Sequence, residues 1–160
     1  MADPLTRVNF FDGMLLTGED LRVEQDYLRR KAQLHNQLHG YGVVEGLDVT
    51  VDRKDQKIHV GPGWAIDRQG REIVLVEPWC SGEVTCRRCD VVITWAEVAE
   101  VPVPGRPDDG PIHTRWVERP ELSLVAPGEA ADVGLVLAHV KRGRLGGLTL
   151  DESARQRLRR

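Results

Sequence analysis

No run of apolar residues in this chain approaches the ~20 that a membrane helix needs. The first residues, Met1 to Arg7, have no apolar stretch of the kind a secretory signal carries. The expectation is therefore cytoplasmic synthesis, with no secretion signal and no membrane span. Neither sign of charge dominates: Lys plus Arg is 22, Asp plus Glu is 25, and the net charge is -3. That balance argues against a protein governed by nucleic-acid binding. Cysteine is scarce as well. The three present, Cys80, Cys86 and Cys89, are odd in number and clustered, which suits a metal site or plain thiols better than a secreted disulfide framework. Serine occurs only as Ser81, Ser123 and Ser153, none within a Gly-x-Ser-x-Gly elbow, so nucleophilic catalysis has little to work with. No internal repeat of useful length is present, and 160 residues fit one domain that needs no disulfides to fold.

What is there begins with an apolar arm, residues 1–16, ending Phe10-Phe11-Asp12-Gly13-Met14-Leu15-Leu16. Asp12-Gly13 reads as a turn. Thr17 to His39 predicts a helix, capped by Thr17 with Asp20 in a capping-box position and stopped by Gly40. At about 100° per residue, Leu21, Leu28 and Ala32 align, with Tyr27, Leu34, Leu38 and Val23 beside them. The apolar arc is about 180° wide, whereas a helix lying on a sheet needs a stripe of about 100°. Part of the arc is expected to pack on a sheet and the remainder to meet a partner.

Beyond Gly40 the period becomes that of strands. Leu47, Val49 and Val51 alternate with Asp48, Thr50 and Asp52, and Lys57 to Val60 continues the pattern. Trp64 to Ile66 and Glu72 to Val76 flank Asp67-Arg68-Gln69-Gly70, a hairpin loop with Gly70 at the left-handed position. Later strands are expected over Asp90 to Val101, Thr114 to Val125 (with Pro120 marking an edge or bulge) and Asp132 to Lys141. Pro102 to Pro111 reads as an exposed crossing. The arginine-rich end is read as a basic, frayed tail. The predicted fold is α+β: one N-terminal helix followed by about seven strands in a mostly antiparallel β-sandwich or partly open barrel. The organisation is arm 1–16, helix plus β domain 17–142, and C-terminal tail 143–160.

Several phrases resemble a known group of proteins. They are Phe10-Phe11-Asp12-Gly13-Met14-Leu15-Leu16-Thr17, Glu19-Asp20-Leu21, Glu24-Gln25-Asp26-Tyr27, and His35-Asn36-Gln37-Leu38-His39-Gly40-Tyr41-Gly42-Val43-Val44-Glu45-Gly46-Leu47. Gly63-Trp64-Ala65-Ile66-Asp67 and Gly70-Arg71-Glu72-Ile73 continue the match. Together they resemble small structural proteins encoded with contractile injection systems and phage-tail-like particles. The resemblance implies a structural component at the baseplate or tail-fibre attachment end, built from repeated copies and bound to other particle proteins. Glu45 stands where many relatives carry Cys, which sets this chain apart from any metal role shared through that position.

Among constellations that carry chemistry, Cys80-x5-Cys86-x2-Cys89 is the sharpest. A two-residue gap lets two thiolates grip one soft cation, and structural zinc wants four ligands. His113 is the first choice for the fourth, and His59 the next. The alternative is small, partly buried thiols on a loop. His35-x3-His39 has the spacing of two ligands on one helical face, but a zinc protease would carry Glu where Asn36 stands. Its bland reading is His35 in the apolar arc and His39 at the helix end. Gly40-Tyr41-Gly42-Val43-Val44-Glu45-Gly46 follows a helix and leads into a strand, the reverse of a dinucleotide loop. Asp67 is expected to bond its own turn backbone. Trp64 and Trp79 lie near turns and are the expected exposed pair, the basis of any sugar-binding stack. Trp95 and Trp116 sit mid-strand and are expected in the core.

Two functional classes follow. The first is a structural adaptor of a contractile particle that assembles with itself through Phe10, Phe11, Met14, Leu15, Leu16, Tyr27, Leu34 and Leu38. The second is a stand-alone β-scaffold module that binds a glycan or a metal ion. No nucleophile–base pair or open metal site is legible, so no enzymatic activity is expected.

Overall fold

A computed structural model describes residues 4–103, 112–129, 134–144 and 146–158. Among these residues one helix, α1 (Gly18–His39), precedes twelve short strands. Its start is set locally. The backbone N–H of Asp20 donates to Thr17 Oγ1 (3.2 Å), and the backbone N–H of Thr17 donates to Asp20 Oδ2 (2.9 Å). This reciprocal capping box satisfies donors that a helix N-terminus leaves unpaired. At the other end Gly40 adopts φ 89°, and its N–H reaches the Gln37 carbonyl (3.2 Å).

The strands form antiparallel sheets without a closed barrel. The largest has the order β10 (Glu121–Val125), β7 (Arg88–Thr94), β11 (Leu135–Arg142), β12 (Leu148–Asp151). Two three-stranded sheets accompany it: β1 (Gly42–Gly46), β4 (Gly63–Ile66), β5 (Glu72–Leu75), and β2 (Val49–Asp52), β3 (Lys57–Val60), β6 (Trp79–Cys80). A separate ribbon pairs β8 (Glu97–Val103) with β9 (Ile112–Glu118). β7 is buried from Cys89 to Ile93 because strands flank it and both its faces are covered. Val91 and Ile93 share a core with Leu135, Leu137 and Val140 of β11, with Ile58, Val60 and Ile73 of the smaller sheets, and with Leu47 between β1 and β2. Each such side chain contributes about 1.5–3 kcal/mol relative to exposure. The α+β sandwich expected from the strand pattern is the observed fold.

The Asp67–Gly70 hairpin forms as expected. Asp67 Oδ1 accepts from the N–H groups of Gln69 (2.9 Å) and Arg71 (2.8 Å), its Oδ2 from Arg71 Nε (2.6 Å), and Gly70 adopts φ 79°. Three readings change. Asp90 to Val101 is two strands, β7 and β8, in different sheets, and Thr114 to Val125 is likewise β9 and β10. Pro120 lies in the break between them, where its missing N–H costs no ladder bond. Much of the segment read as a frayed tail is built into the fold. Leu148–Asp151 pairs with β11, Arg157 bridges Val43 in parallel, and Val43 exchanges backbone bonds with Gln156 (2.8 Å) and Leu158 (2.9 Å). Arg155 is buried and donates to the Gly46 carbonyl. Most of the crossing expected at Pro102 to Pro111 lies outside the described residues; Pro102 itself is in β8.

Candidate assembly interface

The helix meets the β body through its polar side. Asn36 Nδ2 donates to the Gly70 carbonyl (3.0 Å) and to Glu72 Oε1 (3.2 Å), and Gln37 Nε2 donates to the Gln69 carbonyl (2.8 Å). Arg29 pairs with Glu97 (3.2 Å) and lies over the Trp95 ring at 6.0 Å. Gly70 comes so close to the backbone of Gln33 that a side chain there would overlap it. At about 100° per residue, Arg29, Gln33, Asn36 and Gln37 share one arc about 100° wide. Leu34 lies about 100° from Gln33, and Leu38 and Leu28 lie about 140° from it on either side. The apolar half of α1 therefore points away from the body.

No residue of α1 is buried. Part of the arc was expected to pack on a sheet, and no residue of it is buried. Hydrogen bonds to the hairpin tip took that place, since Asn36 and Gln37 find unpaired carbonyls in the turn. Leu21, Leu28 and Leu34 are about half exposed and Leu38 is 81% exposed. The arm adds Phe10, Phe11, Leu15 (86% exposed) and Leu16 to the exposed apolar surface. Met14 and Tyr27 are half-buried. Val8 ties the arm to the helix, its N–H donating to Glu24 Oε2 (3.2 Å). The eight interface residues proposed from sequence thus lie along the arm and the outward side of α1.

A second exposed apolar stripe was missed by sequence reading. In the β8–β9 ribbon Ala99 opposes Trp116 and Val103 opposes Ile112, on the same alternating face. Trp116 is 67% exposed, which corrects its placement in the core: its strand belongs to a two-stranded ribbon separate from the larger sheets. Trp95 is half-buried beneath Arg71, 4.6 Å from the ring centroid. Trp64 and Trp79, expected to be exposed, are half-buried, and Trp79 packs on the core.

The four proposed zinc donors do not come together. Cys86 and Cys89 are bonded to each other as a disulfide, so neither offers a thiolate. Cys80 is exposed with its Sγ 3.8 Å from His59 Nε2, because the β3–β6 pairing sets His59 opposite Cys80. His113 lies exposed in the β8–β9 ribbon, opposite Pro102. Among the described residues no three His, Cys, Asp or Glu side chains are arranged to hold a metal ion.

Asp90, buried at the centre of β7, hydrogen-bonds His139 Nδ1 at 2.5 Å across the β7–β11 pairing. The pair borders a cavity of about 340 Å³ with Tyr41, Arg68 and Gln156, and no hydroxyl or thiol of Ser, Thr or Cys lines its described wall. Electrostatics elsewhere are structural. The Thr17 hydroxyl holds the Asp20 carboxyl below its usual range, a backbone N–H from Ser153 does the same for Asp151, and burial lowers the Arg155 guanidinium.

The sequence matches no family model and no curated protein. Solved structures do resemble it. The chain shares its fold with part of TssK. A crystal structure of TssK superposes with a TM-score of 0.55 at 15% identity, over 92% of this chain and 41% of that one. A chain of the type VI secretion system TssK-TssF-TssG baseplate subcomplex gives a TM-score of 0.61 at 15% identity, over 92% and 60%. A chain of the baseplate complex from the type VI secretion system gives 0.52 at 13% identity, over 93% and 58%. The present chain thus spans roughly two fifths to three fifths of these matched chains.

Proposed function

We propose that this protein is a structural component of the baseplate of a contractile injection machine, held in place by α1 and the preceding arm. The observation that carries this reading is the inverted helix. A 22-residue amphipathic helix turned polar side inward gains little from its own domain. Its leucines are stabilised only when another surface covers them, and a contiguous exposed apolar face of this kind marks an interaction site. The fold it shares with TssK and chains of type VI baseplate complexes supports a baseplate role. The sequence phrases noted above point further, to a phage-tail-like particle and the attachment end of its fibre.

The covering surface is proposed to be further copies of this chain, with other particle proteins beside them. Symmetric self-association is the commonest way to bury such a face. Sedimentation velocity of the wild-type chain and of Leu34→Glu tests this. The wild type is expected to sediment as an oligomer and the variant as a folded monomer. A monomeric wild type at all concentrations would remove the self-assembly reading. The glycan-binding alternative draws little support, since the Trp64 and Trp79 it would use are half-buried. No catalytic role is proposed for the Asp90–His139 pair.

A further inference from the structure

His35 and His39 stand one turn apart near the end of α1, both exposed, with Nε2 atoms 3.4 Å apart. Their rings meet edge to face, with centroids 5.0 Å apart and planes at 73°. The spacing distinguishes two arrangements. A hydrogen bond from a ring N–H has an ordinary length of about 2.7–3.2 Å, so 3.4 Å is long for one. A tetrahedral cation with metal–nitrogen bonds of about 2.0–2.1 Å holds two nitrogens roughly 3.3–3.4 Å apart. The observed separation matches the bite of such a chelate. Neither ring is buried in the core, where the sequence-based alternative had packed His35.

We propose that His35 and His39 form a chelating site for a divalent transition cation, with Zn²⁺ as the reference ion. Imidazole suits Zn²⁺, Cu²⁺ and Ni²⁺, whereas Mg²⁺ and Ca²⁺ prefer oxygen. The surroundings favour a cation. Both histidines line a cavity of about 270 Å³ together with Glu72, whose carboxylate adds negative charge, and with Trp64 and Leu158 as apolar wall. Glu72 is held there by Asn36 Nδ2 (3.2 Å). The structure supplies two nitrogen donors, and water completes the coordination in the isolated chain. The ion bridges positions four apart and so clamps the last turn of α1, next to the Gly40 cap. This site is distinct from the cysteine set, and it stands whether or not the baseplate reading does.

The test is isothermal titration of the tag-free whole chain with ZnCl₂, on wild type, His35→Ala, His39→Ala and Cys80→Ser. Cys80→Ser controls for the other donor pair, Cys80 with His59. The wild type is expected to bind one Zn²⁺ per chain and to gain thermal stability with metal. Each histidine variant should weaken binding at least about tenfold, a loss of roughly 1.4 kcal/mol. Cys80→Ser should bind as the wild type does. Circular dichroism of the metal-free variants checks that the helix is intact. Absence of saturable binding at millimolar Zn²⁺, or binding that survives both histidine variants and disappears in Cys80→Ser, would overturn the proposal.

Discussion

A β-carbon on Gly70 would overlap the backbone carbonyl of Gln33, so the hairpin tip and the helix touch backbone to backbone. Gly70 also adopts φ 79°, a conformation other residues reach only with strain. This glycine sets where α1 lies, and Asn36 and Gln37 reach the turn carbonyls because the two backbones are this close.

Gly70→Ala should therefore be costly although the position is in a turn. The strained backbone costs about 1 kcal/mol, and the overlap forces α1 to move. A total of about 1–3 kcal/mol is expected in urea unfolding. Faster hydrogen exchange at Asn36 and Gln37 should accompany it. Stability equal to wild type would show that the helix rides freely over the hairpin.

Leucines on the helix and aliphatic residues in the sandwich should respond in opposite ways. Ile58 is fully buried, so Ile58→Ala should cost about 2–5 kcal/mol in unfolding experiments. Leu38→Ala should change the stability of the isolated chain by less than about 0.5 kcal/mol, as exposed positions do. If assembly runs through α1, Leu38→Ala should nonetheless weaken it in sedimentation. A Leu38→Ala variant that loses stability but assembles normally would reverse the assignment of faces.

Acid should loosen the start of the helix. The hydrogen bond from the Thr17 hydroxyl lowers the pKa of Asp20, so the folded state binds the Asp20 proton less readily than the unfolded chain. The stabilisation is fully present above the ordinary carboxylate range and is lost as pH falls through the lowered folded value. At neutral pH, Asp20→Asn should show less helix near 222 nm than wild type, and the difference should vanish in strong acid. Thr17→Ala removes the cap at every pH and should cost about 1 kcal/mol.

Arg155 should act as the pin of the C-terminal segment. Its side chain is 1% exposed, donates to the Gly46 carbonyl and lies 3.5 Å from both Asp48 and Glu152. Arg155→Ala removes a charge-assisted bond worth about 1.5–3 kcal/mol. Exchange at the amides of Val43 and Leu158, which bond across this seam, should accelerate most. Uniform acceleration over the core would indicate global destabilisation instead.

The features readable from sequence were those settled within a few residues. Thr17 with Asp20 capped the helix and Asp67 and Gly70 made the hairpin, through bonds spanning at most four positions, and side-chain alternation from Leu47 to Val51 marked β2. The exposed arm and outer helix face were legible as excess apolar surface. The side of α1 that meets the body was not, because it depends on the Gly70 turn, over thirty residues away. Trp116 had a core-like strand pattern, but its strand pairs in a ribbon of two strands that lies outside the larger sheets, and the ring is 67% exposed. The same holds for Arg155: an arginine-rich end reads as solvated until Gly46, 109 residues earlier, is known to lie beside it.

The sequence by itself determined one capped amphipathic helix, an antiparallel β domain and more apolar surface than one domain can bury. Those are properties of short-range hydrogen bonding and of side-chain periodicity, which act within a turn or a strand. The tertiary structure alone decided that the helix is turned polar side inward, that its two histidines border Glu72, Trp64 and Leu158, and that Arg155 is held beside Gly46. Each of these depends on where backbones distant in sequence meet, and that is set by packing of the whole core.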